Sequence, residues 1–346
     1  MTVPPGVTLR EVRSSIPEAC YVRSTTRAIA LLAFDVALYG LAIVGVFRAP
    51  PLIALGFGVL AGFAVALLFV WAHDACHGAL FESRRLSEVL GTAAMLPSLQ
   101  MYRLWAFGHN KVHHGFTSLS TVDWIWRPMS PDEYRAASPR RRLVYRMERH
   151  PATCGLHYLL RVWWPGMVTF RPDPRARRTR GFRVSQLGML LYVSTFSIVT
   201  YLAGGWIAVV AAVVVPFVVF TYLIALFVFL HHTHPDIPFF GKRSEWSATV
   251  GQLRCSTVVR CSRPIEWLTH NIFVHTPHHV DTRIPFYNLR EAHQGLRRTY
   301  GHTITEYRFR WSTVRSIFGH CQLYDFDSHT WHRFENQMSV DGSVPE

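Results

Sequence analysis

Charge is what this chain has least of. Asp, Glu, Lys and Arg make up 17% of its 346 residues, where a typical soluble domain carries about 25%. Apolar residues make up 49% and fall in blocks. That balance argues against two soluble domains and for one multi-span membrane domain. The six cysteines (Cys20, Cys76, Cys154, Cys255, Cys261, Cys321) form no CxxC pair, and the chain has no N-x-S/T site. Both absences fit a reduced, cytoplasm-facing protein. There is no CxxC-type iron–sulfur run, no GxGxxG fingerprint and no recognisable fused haem domain, so redox chemistry on this chain requires an external electron donor. The opening MTVPPGVTLREVRSS contains no apolar stretch that would make a cleavable signal.

What charge there is, is mostly positive. The formal net charge is +14, and the arginines sit between and after the apolar runs. That placement fits cytoplasmic loops of a membrane protein, and no nucleic-acid-binding signature accompanies it. The apolar runs predict an all-α integral membrane fold with four transmembrane helices in two hairpins. The spans are placed at about 28–47, 51–72, 184–204 and 206–230. Only Arg48, Ala49 and Pro50 separate the first two. Val184 to Pro235 is 52 residues without Asp, Glu, Lys or Arg, enough for two crossings with a turn at Gly204 and Gly205. Asp35, the one acid within a span, is assigned a structural role facing the bundle interior. Leu86 to Phe107, broken by Pro97 and Arg103, reads as an interfacial or re-entrant helix. Residues 1–27 form a cytoplasmic N-terminal segment, 28–293 the membrane domain and 294–346 a cytoplasmic C-terminal segment. Four crossings put both termini and the central segment on one side, which the arginine bias assigns to the cytoplasm.

Histidine is the excess. Twelve of the 19 lie in four clusters: HDACH (His73, His77), HNKVHH (His109, His113, His114), HHTHP (His231, His232, His234) and HNIFVHTPHH (His270, His275, His278, His279). The predicted topology puts all four on the cytoplasmic side, where a helical cap would gather them. Neutral imidazole is the commonest nitrogen ligand for iron, zinc, copper and nickel. A structural zinc takes four ligands and usually includes Cys. Eight or nine convergent histidines suit two metals with open positions, which points to a pair of irons handling dioxygen. Asp74 and Asn110, inside two clusters, are candidates to orient an imidazole through its other nitrogen. His150, His157, His293, His302, His320, His329 and His332 follow no such pattern and read as ordinary surface or interface residues. Arg140, Arg141 and Arg142, with Arg146 and Arg149, read as a solvated or headgroup-facing surface, or as a dock for an acidic electron donor. Trp124, Trp126, Trp163 and Trp164 suit the headgroup layer.

HDACHG, HNKVHHG and HTPHH around two apolar hairpins resemble the membrane fatty acid desaturase family, whose boxes follow HxxxH, HxxHH or HxxxHH, and HxxHH. HHTHPDIP, the Glu245–Trp246 pair, HNI and IPFYNLREA sharpen the likeness toward the plant and cyanobacterial methyl-end (omega-6, omega-3) desaturases and bacterial relatives. It runs from about Val70 to His293. The resemblance implies a diiron site held by His73, His77, His109, His113, His114, His275, His278 and His279. His232 matches a ninth ligand, and His234 and His270 stand with the groups around the ligands. Pro277 inside the third box limits regular helix there. The implied reaction is the O2-dependent introduction of a double bond into a fatty acyl chain carried by a lipid, CoA or acyl carrier, with two electrons from a ferredoxin or small cytochrome. Hydroxylation, ketone formation or epoxidation at the same kind of site is the alternative. A non-enzymatic metal sensor or transporter would need polar groups at mid-bilayer, and spans two to four have almost none.

Overall fold

The computed structural model describes residues 3, 6–171 and 179–335. Residues 172–178 of the arginine-rich central segment, and the C-terminal residues 336–346, lie outside that description. Two layers follow from the distribution of charge: a bundle of long apolar helices, and a cap of short polar ones.

The first apolar helix, Thr25–Arg48, starts at Ser24, whose hydroxyl accepts from the Arg27 N–H. Pro50 then lies outside the second, Pro51–Cys76, which begins with Pro51 in its first turn, where proline costs no hydrogen bond. Trp71 Nε1 donates to the Ala28 carbonyl at 2.8 Å and ties the pair together. The remaining apolar stretch, Gly181–His232, is 52 residues long. As one straight helix it would measure roughly 78 Å at 1.5 Å per residue, far more than the ~30 Å hydrocarbon layer. It breaks at Gly204 and Gly205, where Gly205 has φ +66, a conformation that favours glycine. The two arms fold back at the position the sequence suggests. Phe47, at the first hairpin's tip, lies beside Gly204 at the second's.

Gly58 and Gly62 form a G-x-x-x-G stripe against the second hairpin. A Cβ on Gly58 would stand 2.3 Å from the Ala211 carbonyl oxygen, and one on Gly62 2.5 Å from Val219 Cβ. Hydrogen at these positions lets the backbones approach, as in lipid-embedded helix pairs. Leu52, Leu60, Phe63, Leu187, Leu191, Ile198 and Leu202 point outward and are exposed, the distribution of a surface whose solvent is hydrocarbon.

The cap is built on both sides of the bundle's polar end. Arg84–Met95 and Tyr102–Phe107 are separate helices joined through a turn at Pro97 and a left-handed Leu99 (φ 55). The N-terminal helix Leu9–Ser14, closed by a capping box between Thr8 and Glu11, packs Val12 into the cap, and Arg13 Nε donates to the Val280 carbonyl at 2.8 Å. Helix Leu289–Tyr300 runs through residue 293, so the chain continues from the membrane domain into the C-terminal segment without a break. The all-α expectation needs one correction. Thr257–Arg260 pairs in parallel with Thr305–Arg308 (Thr257 opposite Thr305), and Leu323–Asp325 pairs antiparallel with Thr330–His332. These two-stranded pieces satisfy cap backbone that has no helix to join.

Candidate metal centre

His73, His77, His109, His114 and His278 present ring nitrogens that all lie within 4.8 Å of one another, and so do His113, His232, His275 and His279. The two groups are neighbours, with His114 stacked on His279 at a centroid distance of 4.2 Å. Every histidine matched to a ligand position by the box pattern is in one group or the other.

Local backbone explains the convergence. His73 and His77 lie one turn apart at the C-terminal end of Pro51–Cys76, with ring centroids 4.8 Å apart. The second box occupies a π-turn, Gly108–His113, in which the His114 N–H donates to the His109 carbonyl five residues back at 2.9 Å. Such single π-turns recur at functional sites. Here the wider turn brings His114 Nε2 to 3.0 Å from His109 Nε2, while His113 serves the other group. The third box is helical after all: helix His275–Val280 begins at His275, so Pro277 falls in the first turn, where its missing N–H is not needed. His275 and His279 Nε2 are then 3.1 Å apart, and His278 Nε2 reaches within 3.2 Å of His114 Nε2. Upstream, His270 and Asn271 both have φ +53, a left-handed pair that turns the chain into this helix.

Hydrogen bonding fixes which ring nitrogen faces inward. Nδ1 of His73 meets Asp74 Oδ1 at 2.9 Å, that of His113 meets Asp123 Oδ2 at 3.1 Å, and that of His232 meets the Cys255 carbonyl at 2.9 Å. His279 Nδ1 meets Gln252 Oε1 at 3.1 Å, and the Gln252 amide nitrogen donates to the His114 carbonyl. These oxygens only accept, so each Nδ1 holds the proton and each Nε2 presents a lone pair. His113 Nε2 and His232 Nε2, both fixed this way, face each other at 3.2 Å. Two lone pairs at that distance repel unless a cation lies between them. Two nitrogens bound about 2.1 Å from one metal at a right angle would be about 3.0 Å apart. The donor set fits two metal ions, one with five imidazoles and one with four. Burial, and then the neighbouring imidazoles, push His77, His109, His114, His275, His278 and His279 well below the usual histidine range, which keeps them neutral and able to ligate.

The groups around the ligands differ in part from expectation. Asp74 does meet an imidazole, and its second oxygen accepts from the Phe286 N–H at 2.6 Å. Asn110 instead donates to the Cys76 carbonyl at 3.0 Å, pinning the π-turn to the second apolar helix. His234 stands apart, stacked on Tyr307 and 3.4 Å from Asp236. His270 touches no ligand: its Nε2 lies 2.7 Å from Asp35 Oδ2, both fully buried. That contact joins the first span to the cap and gives Asp35 its partner. His157 is no surface residue, being buried and stacked on Trp126 at 3.8 Å. His293 is buried too, 3.2 Å from Glu306. Arg149 leaves the arginine surface and donates, buried, to the carbonyls of Cys321 and Trp126. Trp126 and Trp163 likewise turn inward, Trp163 Nε1 donating to the Leu99 carbonyl at 2.8 Å, whereas Trp124 and Trp164 are exposed. Asp123, Gln252 and the Cys255 carbonyl carried no sequence signal, because no spacing rule links them to the boxes.

Between the two histidine groups and the apolar helices lies a cavity of about 70 Å³, walled by Phe69, Ile224, Phe227 and Val228 together with His73 and His109 of one group and His113, His232 and His275 of the other. An open groove of about 450 Å³ shares Trp105, His109, His113, Ile125 and Val162 with it. Trp105 stacks on His109 at 4.3 Å, where the two spaces meet.

The sequence model of the family described as fatty acid desaturase matches residues 49–311. The chloroplastic omega-6 fatty acid desaturase of Spinacia oleracea is 29% identical, over 99% of this chain and 74% of that protein. The sn-1 oleoyl-lipid 12-desaturase of a Picosynechococcus species is 28% identical over 93% of this chain and 91% of its own length. That of a Synechocystis species is 28% identical over 92% and 89%. A family match that runs across all three boxes, the second hairpin and most of the cap leaves one conclusion: the chain belongs to the fatty acid desaturase family.

Proposed function

We propose that this enzyme uses two irons and O2 to place a double bond in the methyl-end half of a fatty acyl chain, as the relatives' omega-6 and oleoyl-lipid 12-desaturase names suggest. The observation that carries the proposal is the pair of inward-facing imidazole groups, five and four, set against an apolar cavity. Iron bound there would supply the oxidising power that unactivated methylenes require. The protein's part is positional. Nothing in a methylene chain directs attack, so the apolar walls must fix which carbons sit beside the histidines. The cavity shares walls with the adjoining groove, so a chain that reaches the histidines would lie along both. The ligands would be the nine grouped histidines, with Asp74, Asp123, Gln252 and the Cys255 carbonyl holding their tautomers.

The same reading places four crossings in the membrane with the site and both termini on the cytoplasmic face. Its support is that His73, His77 and His232 lie at one end of the bundle and both hairpin tips at the other, together with the arginine bias. Electrons would come from a ferredoxin or small cytochrome. The test is expression in a host with simple lipids, followed by mass and double-bond analysis of its fatty acids. A product two mass units lighter than its precursor, absent with His113→Ala, is expected. A product heavier by one oxygen would replace desaturation with hydroxylation or epoxidation, and purified protein that takes up no iron would end the proposal.

A further inference from the structure

Trp105 lies flat on a histidine of the metal centre. Its ring stacks on His109 at 4.3 Å with the planes 19° apart, and it meets His73 edge to face at 5.7 Å, so it touches two members of the five-histidine group. Any apolar side chain could wall the cavity there. Indole differs in kind, because it gives up an electron far more readily than an aliphatic or phenyl side chain.

The same chemistry continues behind it. Trp105 and Trp163 both pack on a buried cluster of Met101, Leu104, Met167 and Met189, which holds three of the chain's eight methionines. Thioether sulfur is polarisable and packs favourably on aromatic rings, so this cluster steadies a positive charge better than hydrocarbon would. Trp163 donates its Nε1–H to the Leu99 carbonyl at 2.8 Å, a hydrogen bond that strengthens when the ring is cationic. Its centroid is 6.5 Å from that of Trp164, and Trp164 is 51% exposed. Oxidisable rings therefore run from the histidines, past a sulfur-rich cluster, to the surface. Trp126, another tryptophan in the cavity wall, stacks instead on His157 and lies under the Arg149 guanidinium at 5.5 Å, whose charge opposes a cation on that ring.

We propose that Trp105, Trp163 and Trp164 form an escape route for oxidising equivalents when oxygen is activated with no acyl chain in place. This rests on the two irons and O2 of the function proposed above. In desaturation the chain supplies two of the four electrons, and two of the four protons, that take O2 to two waters. Without it, Trp105 gives an electron to the metal centre, Trp163 refills Trp105, and Trp164 refills Trp163. A thiol or the reduced electron-donor protein then refills Trp164 from solution. Two such passages, with two protons from water, replace what the chain would have given. With the reductant exhausted, the oxidised Trp164 ring loses its Nε1 proton to water and forms a C–O bond with O2, which marks it.

The test uses the full-length, iron-loaded protein without acyl substrate, reduced, freed of excess reductant and exposed to O2. Peptide mass spectrometry maps the oxidised residues, alongside iron per chain and O2 consumed. In wild type the mark is expected at Trp164 in excess of Trp206 and Trp311, which are 72% and 56% exposed but belong to a hairpin tip and the C-terminal segment. Trp163→Phe keeps an aromatic ring and breaks the route: the mark should be lost from Trp164 and appear on Trp105 and His109, with iron released sooner. Trp164→Phe alters only an exposed ring, and should move the mark to Trp163 while desaturation of saturating substrate is unchanged. Equal marking of Trp164, Trp206 and Trp311 would mean peroxide diffusing through solution, and a map that neither variant changes would make Trp105 packing only. Either result overturns the proposal and leaves the desaturase reading intact. Wild-type protein that holds no iron and consumes no O2 would overturn both.

Discussion

Removing the acceptor behind His113 separates the metal site from the fold that carries it. Asp123 is 2% exposed and takes three donors: His113 Nδ1, the Ser118 N–H and the Ile125 N–H, each at 3.1 Å. Asp123→Ala strands all three. At about 1–3 kcal/mol for each unsatisfied buried donor, the gross cost is roughly 3–9 kcal/mol, less whatever entering water recovers, and the cap should melt markedly earlier. Asp123→Asn is gentler on the fold and more informative about the metal. It keeps one acceptor oxygen and adds an amide N–H2. The His113 Nδ1 and the Ser118 N–H share Oδ2 and the Ile125 N–H uses Oδ1, so the asparagine carbonyl stays with the first two, and a neutral amide oxygen holds the His113 tautomer more weakly than a carboxylate. The expected loss is about 10–100-fold in affinity at the four-histidine group, or ~1.4–2.7 kcal/mol, with the five-histidine group much less affected. Chelator competition with metal analysis reads this directly: half the iron should leave Asp123→Asn at a lower chelator concentration than in wild type. Superimposable release curves would refute the tautomer argument.

Replacing a ligand in either group, His113→Ala or His278→Ala, should abolish the unsaturated product and lower iron per chain, measured by fatty acid profile and metal analysis. Gly58→Ala puts a methyl 2.3 Å from the Ala211 carbonyl; at about 1–3 kcal/mol for such overpacking, thermal unfolding in detergent should shift down, and an unchanged melting point would mean that the hairpins are not so closely packed. Metal-free protein should be acid-sensitive. Six cap histidines lie well below their usual 6.5, so below that pH the unfolded chain binds more protons than the folded one; stability is full above about pH 6.5 and falls as pH drops. A flat melting profile from pH 7 down to about pH 5 would contradict it. Asp35→Ala leaves His270 buried without its partner and should cost about 1–3 kcal/mol, read by thermal unfolding of the metal-free protein; wild-type stability would show that the span and cap are not joined there.

Sequence alone was enough for the features that repeat at short range or depend on solvent. Apolar runs of fixed length gave the helices, because hydrocarbon tolerates few charges. Glycine 204 and glycine 205 marked the fold-back, because residue 205 takes a backbone angle that favours glycine. Box spacing singled out eight of the nine grouped histidines, because imidazoles three to five residues apart share a turn, and the ninth, His232, came only from the family likeness. Tertiary structure decided what lies between segments. It alone showed that a π-turn sends His113 and His114 to different groups, and that the acceptors behind His113, His232 and His279 come from Asp123, Cys255 and Gln252. It alone paired His270 with Asp35, 235 residues away, and drew His157 and Arg149 inside. A hydrogen bond between distant segments leaves no period in either of them, and only the folded chain brings its two ends together.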